Sequence, residues 1–170
     1  MQIKPTVQST FEPVDKPTRW MLLALFLALP VALGGCARDK AIDPSPVTLQ
    51  LSASTDANPD RNNRPSPILI RVYELRSQGA FETTDFFAML EQDQAVLGGE
   101  MINRWEFQLD PGESMTLDAS FHATSGFIGV LAAYRDIERA QWRAIAPIRS
   151  GRENKLSVSA GRLEVSIEPR

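Results

Sequence analysis

The sequence has few of the residues that enzymes and metal sites usually employ. Its 170 residues include one cysteine, one histidine and two tyrosines, so no disulfide can form within the chain. The motifs Gly-x-Ser-x-Gly, His-Glu-x-x-His and Cys-x-x-Cys do not occur. The lone histidine, His122, follows a predicted strand and is interpreted as a surface or hydrogen-bonded residue. The sequence therefore predicts no catalytic site and no metal site.

Acidic residues outnumber basic ones beyond the first part of the chain. Residues 1–35 hold three of the 18 Lys and Arg and two of the 21 Asp and Glu, which leaves 15 basic and 19 acidic residues in 36–170 and a net charge of −4. Nucleic-acid binding needs clustered positive charge that displaces counterions from the phosphates. This balance argues against a nucleic-acid partner.

The one long apolar run of the sequence lies at residues 20–33. Its fourteen residues carry no charge, and they follow Lys16 and Arg19. As a helix, the run would extend only about 21 Å, which is shorter than the roughly 30 Å hydrocarbon core of a bilayer. A basic region, a short apolar region and small residues before a cleavage point are typical of a secretory signal, so 1–35 is predicted to be a signal peptide.

The tetrapeptide Leu33-Gly34-Gly35-Cys36, which follows this run, resembles the bacterial lipobox. In a lipobox, a signal peptidase cuts before the cysteine and the thiol receives a lipid, so the resemblance implies a covalent lipid on Cys36. No cofactor is expected besides this lipid. The alternatives are an uncleaved signal anchor and an inert thiol. Residues 36–46 are polar and proline-punctuated and are predicted to be a lipidated tether. Ala37 stands where an aspartate would retain a lipoprotein in the inner membrane, so the implied location is the inner leaflet of the outer membrane, facing the periplasm.

Residues 47–170 have the pattern of an all-β domain. Apolar and polar residues alternate in short segments that are separated by turn formers. Such segments favour a two-sheet β-sandwich, in which each sheet covers the apolar face of the other, with a small helical insertion around 80–98. Eight strands are predicted, at 47–53, 68–75, 105–109, 115–121, 126–134, 141–148, 156–160 and 163–167.

The helical insertion is predicted from the spacing of apolar residues over 84–97. Thr84 is expected to cap its first turn, and Asp85 lies where the helix dipole favours an anion. The carboxylates of Glu91 and Asp93 occur in a charged context and are interpreted as solvated surface groups.

The sequence pattern after the helix gives two further predictions. The segments 105–109 and 115–121 flank a tight turn at 110–113 and are interpreted as a hairpin. The segment 126–134 is apolar on both faces, which predicts a central, doubly covered strand. Its Gly129 would let another element approach closely.

The segment 54–67 is a long loop rich in Asp, Asn and Pro. Long ordered loops in small domains are often functional. Asp56, Asn58 and Asp60 have the alternate spacing of an EF-hand calcium loop, but Arg61 stands where that loop needs glycine and Pro67 where it needs a bidentate glutamate. A proline-stiffened, solvent-facing loop is favoured, and calcium binding is left as an open alternative.

In order and spacing, these features resemble the TssJ family of type VI secretion lipoproteins over nearly all of the chain after the signal peptide. The motifs that carry the resemblance follow the lipobox in this order: Asn58-Pro59-Asp60, Arg64-Pro65-Ser66-Pro67, Arg71-Val72-Tyr73-Glu74-Leu75, Phe81 with Asp85-Phe86-Phe87, Pro111-Gly112-Glu113, Ala133-Tyr134-Arg135-Asp136 and Trp142-Arg143.

The resemblance implies a transthyretin-like sandwich and a structural role. Members of this family anchor the trans-envelope complex at the outer membrane by binding the periplasmic part of the inner-membrane protein TssM, which works with TssL. The loop between the first two strands is implicated in this binding. By position, the implied contact residues are Asp56, Asn58, Asp60, Arg61, Asn62 and Arg64. Asn58 and Asp60 are alternatively residues that only cap turns.

Two other classes of function remain as alternatives. One is a lipid-tethered periplasmic enzyme or ligand-binding protein, which would need a concave pocket with convergent polar groups. The other is a pilotin-like assembly factor unrelated to type VI secretion. The residues supply no obvious set of convergent polar groups, so no small-molecule substrate is expected.

Overall fold

The computed structural model describes residues 43–170, which form eight β-strands and a small helical segment. The predicted signal peptide, Cys36 and most of the predicted tether lie outside the described residues. The first strand begins at Ser45, two residues before its predicted start. The elements are β1 (Ser45–Ala53), β2 (Ile68–Leu75), α1 (Gly79–Thr83), α2 (Phe86–Leu97), a 3₁₀ turn (Gly98–Glu100), β3 (Met101–Leu109), β4 (Ser114–Phe121), β5 (Phe127–Ala133), β6 (Arg143–Pro147), β7 (Asn154–Ala160) and β8 (Val165–Pro169).

Two four-stranded sheets form a sandwich, with the strand orders β4-β1-β7-β8 and β3-β2-β5-β6. The central strand β1 runs antiparallel to β4 and parallel to β7, whereas β2 runs antiparallel to both of its neighbours. Leu49 and Leu51 of β1 are fully buried and share one core with Ile70, Val72 and Val130 of the other sheet. These findings confirm the predicted two-sheet all-β fold and the central position of β5.

The predicted hairpin between β3 and β4 is wrong. A tight turn at 110–113 connects the two strands, but β3 pairs with β2 and β4 pairs with β1, in opposite sheets. Gly112, with φ of 85°, donates its N–H to the carbonyl of Ala53 and carries the chain across the end of β1. Alternation shows which face of a strand is buried, not which strand it pairs with. Phe107 and Leu117 therefore both pack against the shared core from different sheets.

The helical segment covers the outer face of the second sheet. Phe81 of α1 and Met89 of α2 are fully buried and form a second core with Tyr73, Leu75 and Leu131 of the sheet. The close packing depends on a glycine of β5, as predicted. A Cβ atom on Gly129 would lie 2.8 Å from Cζ of Phe81 and 3.0 Å from Cδ1 of Leu75.

The first turn of α2 is capped by Asp85 rather than by Thr84. The carboxylate of Asp85 accepts the backbone N–H groups of Phe87 and Ala88, each at 3.0 Å. The hydroxyl of Thr84 instead donates to the carbonyl of Ala80, in the preceding helix α1, at 2.7 Å. Because Asp85 is the residue before the first helical position, its carboxylate satisfies N–H groups that have no partner within the helix.

A buried carboxylate joins α2 to the sheet. Asp93 is 5% exposed, and its Oδ2 accepts hydrogen bonds from Arg104 at 2.5 Å and from the hydroxyl of Tyr73 at 3.1 Å. Arg71 lies 3.5 Å from the same oxygen and donates to the carbonyl of Leu90 at 2.6 Å, next to a kink in α2. Burial and the charge of Asp93 raise the pKa of Tyr73, which stays a protonated donor. The prediction that Asp93 is a solvated surface group is therefore wrong.

We predict that Gly129→Ala lowers the free energy of unfolding by about 1–3 kcal/mol, because the new methyl group must displace Phe81 or Leu75 in a packed core. Denaturant unfolding of the protein measures the change. Gly99→Ala is the matched control, since a Cβ there would meet nothing within 4 Å, and it should change stability by less than about 0.5 kcal/mol. Equal effects of the two substitutions would contradict the packing described here.

Candidate functional site

Three connections meet at one end of the sandwich and form an open cleft of about 1180 Å³, here called the loop-end cleft. They are the β1–β2 loop (54–67), the β5–β6 connection (134–142) and the β7–β8 connection (161–164). Charged and amide side chains dominate the lining. The lining residues are Pro59, Asp60, Arg61, Asn62, Asn63, Arg135, Asp136, Ile137, Glu138, Arg139, Arg162 and Leu163.

Asn58 holds these three connections together. It is only 2% exposed and has a φ of 49°, a left-handed conformation that asparagine tolerates better than most residues. Its amide group donates to the carbonyl of Pro67 at 2.6 Å and accepts the backbone N–H of Arg135 at 2.8 Å. Its own backbone N–H donates to the carbonyl of Arg162 at 3.2 Å. One buried side chain and its peptide group therefore contact the C-terminal end of the loop and the two other connections.

Asp60 shapes the tip of the β1–β2 loop. Its carboxylate accepts the backbone N–H groups of Asn62 at 2.8 Å and Arg64 at 3.0 Å. The guanidinium of Arg64 adds a hydrogen bond of 2.8 Å and an ion pair of 2.6 Å. These donors, with the side chain of Arg64 first, hold the pKa of Asp60 at about 2. Because this pKa lies below the usual range, the ionised turn persists at neutral pH and is lost only as the pH falls through about 2.

The predicted contact residues differ in how far a partner could reach them. Asp56, Arg61, Asn62 and Arg64 are exposed, and Asp60 is partly buried. Asn58 is buried and fully engaged, so its side chain shapes the loop and a partner could touch it only if the loop opened. The contacts themselves stay a prediction.

The cleft also contains residues for which the sequence predicts no site role. Arg135 and Arg162 join the loop through Asn58, although Arg135 is 77 positions from that residue. The guanidinium of Arg162 donates to the side chain of Asn63 at 2.8 Å, across 99 positions. The parallel pairing of β1 and β7 brings the ends of these strands together, and the sequence pattern gives no sign of that pairing.

The β5–β6 connection is organised by its own ion pair. Arg139 donates from Nε to the carboxylate of Asp136 at 2.7 Å, and this hydrogen bond lowers the pKa of Asp136. The buried Tyr134 donates from its hydroxyl to the carbonyl of Gly161 at 3.3 Å, and burial raises its pKa. The connection is thereby linked to the β7–β8 turn by a neutral hydrogen bond.

The lining offers charged and amide groups that can bind a partner. Its acidic residues are Asp60, Asp136 and Glu138, and it contains no serine, threonine, cysteine, lysine or histidine. Within residues 43–170, no group of three or more His, Cys, Asp or Glu side chains is arranged to hold a metal ion. In the same part of the chain, no helix is long and apolar enough to cross a membrane.

The lone histidine lies elsewhere and takes part in local structure. The ring of His122 is exposed and contacts the hydroxyl of Thr124 at 2.9 Å. Its backbone N–H donates to the buried carboxylate of Glu74 at 2.5 Å, which also accepts the hydroxyl of Ser125 at 2.5 Å. This agrees with its interpretation as a surface residue with local hydrogen bonds.

We predict that Asn58→Ala lowers the free energy of unfolding by about 2–3 kcal/mol. The change leaves the carbonyl of Pro67 and the N–H of Arg135 without their partner and places alanine in a left-handed conformation. Thermal and denaturant unfolding measure the loss. Asn62→Ala, in the same loop but exposed, is the control and should stay within about 0.5 kcal/mol of the unaltered protein. A neutral Asn58→Ala would show that the loop does not depend on this residue.

One family model and several solved structures match this chain. The family model T6SS-SciN, described as type VI secretion lipoprotein, VasD, EvfM, TssJ, VC_A0113, matches residues 45–163. The chain is similar to the type VI lipoprotein TssJ1 from Pseudomonas aeruginosa, with 32% identity, a TM-score of 0.72, and coverage of 75% of this chain and 97% of that one. No curated protein sequence matches.

Two further solved structures share the fold. Serratia marcescens Lip, a membrane-bound component of the type VI secretion system, has 28% identity and a TM-score of 0.69, over 75% of this chain and 98% of that one. A chain of a type VI membrane complex has 20% identity and a TM-score of 0.65, over 75% of this chain and 99% of that one, and shows the fold alone. Since the family model spans most of the described residues and TssJ1 matches at 32% identity, the chain belongs to the family of type VI secretion lipoproteins that includes TssJ.

Proposed function

We propose that this protein is a structural, non-enzymatic anchor of the type VI secretion complex. In this proposal, a lipid on Cys36 holds the protein in the inner leaflet of the outer membrane, facing the periplasm. The loop-end cleft binds the periplasmic part of a TssM-like inner-membrane protein and, through it, joins TssL to the outer membrane. Membership of the type VI lipoprotein family supports the proposal.

The observation that carries the proposal is the placement of a pre-shaped loop at one end of the domain. The chain enters the sandwich at Ser45, at the start of β1, and the β1–β2 loop follows directly from Ala53, at the other end of that strand. Nine residues of strand separate the two points by about 27 Å at ~3.4 Å per residue. A tether that leads to Ser45 and a partner at the loop would therefore hold opposite ends of a rigid body.

The lipid suits such an anchor on physical grounds. A single myristoyl-sized chain gives only marginal membrane binding, whereas two or more chains hold stably at about 0.8 kcal/mol per buried methylene. A triacylated Cys36 would therefore remain in the membrane while the partner is bound.

The cleft is a poor site for a small molecule. Small-molecule pockets are usually lined by apolar and aromatic side chains with a few polar groups, whereas most residues of this lining are charged or carry amides. The lining thus supports a protein partner over the ligand-binding alternative.

We predict that Arg61→Glu weakens binding of the cognate TssM periplasmic fragment by about tenfold without changing the melting temperature. Arg61 is exposed at the tip of the loop, and no described residue forms an ion pair with it, so its reversal should affect the interface and leave the fold unchanged. Asp60 is less suitable, because its reversal would disturb the turn that it organises.

Calorimetry with the mature lipoprotein in detergent measures the affinity. Arg152→Glu is the matched control, because Arg152 is exposed in the turn whose Gly151 donates to Ser45, at the far end of the domain. Failure of the folded, unaltered protein to bind the fragment at micromolar concentration would contradict the proposed function. Normal binding by the Arg61 variant would place the contact elsewhere on the surface.

A further inference from the structure

We infer that the loop-end cleft recognises an acidic segment of its partner, with the partner's carboxylates bound by arginines that come from all three connections. The inference rests on the proposed function and extends it. It names the chemistry of the bound segment, and it enlarges the contact surface from the β1–β2 loop to Arg135 and Arg162.

The charges of the cleft are unevenly neutralised. Four of its lining residues are arginines, and Arg64 lies in the same loop as one of them, Arg61. Two of the three acidic lining residues, Asp60 and Asp136, are each paired with a neighbouring arginine on their own connection. No acidic residue of the described chain forms an ion pair with the other arginines of the lining. These are Arg61, Arg135 and Arg162, and Glu138 is the one acidic residue of the lining that forms no ion pair with a described residue.

Hydrogen bonds fix the relative positions of these arginines. The backbone of Arg135 donates to the side chain of Asn58, and the backbone of Arg162 accepts from the peptide N–H of Asn58. The guanidinium of Arg162 is further held by the side chain of Asn63. The backbones of Arg135 and Arg162 and the guanidinium of Arg162 are therefore positioned before a partner arrives, which lowers the entropic cost of association. A guanidinium can also bind a carboxylate with two parallel hydrogen bonds, which adds geometric specificity.

The charge of the whole domain makes this cleft selective. The chain from 36 onward carries a net charge of −4, so an acidic segment is repelled by most of the surface. Asp56 and Glu164 lie on the same connections but are not part of the lining. An acidic segment would therefore be steered into the cleft and disfavoured around it.

Charge reversal within the cleft tests the inference. Arg135→Glu and Arg162→Glu should each raise the Kd for the cognate TssM periplasmic fragment by about tenfold, and the double variant should raise it further. Both side chains are exposed, the backbone hydrogen bonds to Asn58 remain, and the only side-chain bond lost is the exposed one from Arg162 to Asn63, so the melting temperature should change little. Arg152→Glu, at the other end of the domain, should bind as the unaltered protein does. The affinity of the unaltered protein should also fall as NaCl is raised from about 0.05 to about 0.5 M.

A second measurement identifies the acidic group on the partner. Replacing acidic residues of the fragment by lysine should weaken binding to the unaltered protein and restore binding to the Arg135→Glu variant. If the unaltered protein binds while the cleft variants bind equally well and salt has no effect, the inference is wrong, whereas the proposed anchoring role stands with its contact elsewhere on the surface. If the folded, unaltered protein does not bind the fragment at all, the proposed function fails and the inference fails with it.

Discussion

The hydrogen bonds of Asn58 are the constraint on which the proposed binding end of this protein depends. A single buried residue joins the β1–β2 loop to the backbone of Arg135 and Arg162, which lie far apart in the sequence. Without its side chain, the loop would lose its hydrogen bond to the β5–β6 connection, and only contacts such as that of Asn63 with Arg162 would still join it to the β7–β8 connection. Since the loop-end cleft lies where the three connections meet, Asn58 helps to set its shape and the backbone positions of Arg135 and Arg162.

The sandwich itself supplies the rigidity that an anchor needs. β1 lies between β4 and β7, with its alternate residues in the core, and it leads directly from the entry point of the chain to the loop. A force between a lipid tether and a partner at the cleft would therefore run along a strand that is hydrogen-bonded on both sides. The buried Asp93, with Arg71 and Arg104, ties the helical segment to the second sheet away from this path.

Most of the fold could be predicted from the sequence, because alternation reports directly which residues are buried. The same signal could not show that β3 and β4 enter different sheets, since a strand with one apolar face packs equally well in either. The burial of Asp93 could not be predicted for a related reason, because its partners come from β2 and β3 and local charge patterns do not show them. The length and composition of the β1–β2 loop are enough to identify it as a candidate site. The sequence pattern does not identify Arg135 and Arg162, because only the parallel pairing of β1 with β7 and the contacts of Asn58 bring these residues to the loop.

The central claim is that one molecule joins a bilayer to a protein partner through opposite ends of its domain. The most direct test is a flotation assay with lipid vesicles that carry the mature lipoprotein and with the soluble TssM periplasmic fragment. The fragment should float with vesicles that carry the unaltered protein and remain unbound when Cys36→Ser removes the lipid, although that variant still binds the fragment in solution. A fragment that floats equally well without the lipid, or that never floats with the lipidated protein, would contradict the account.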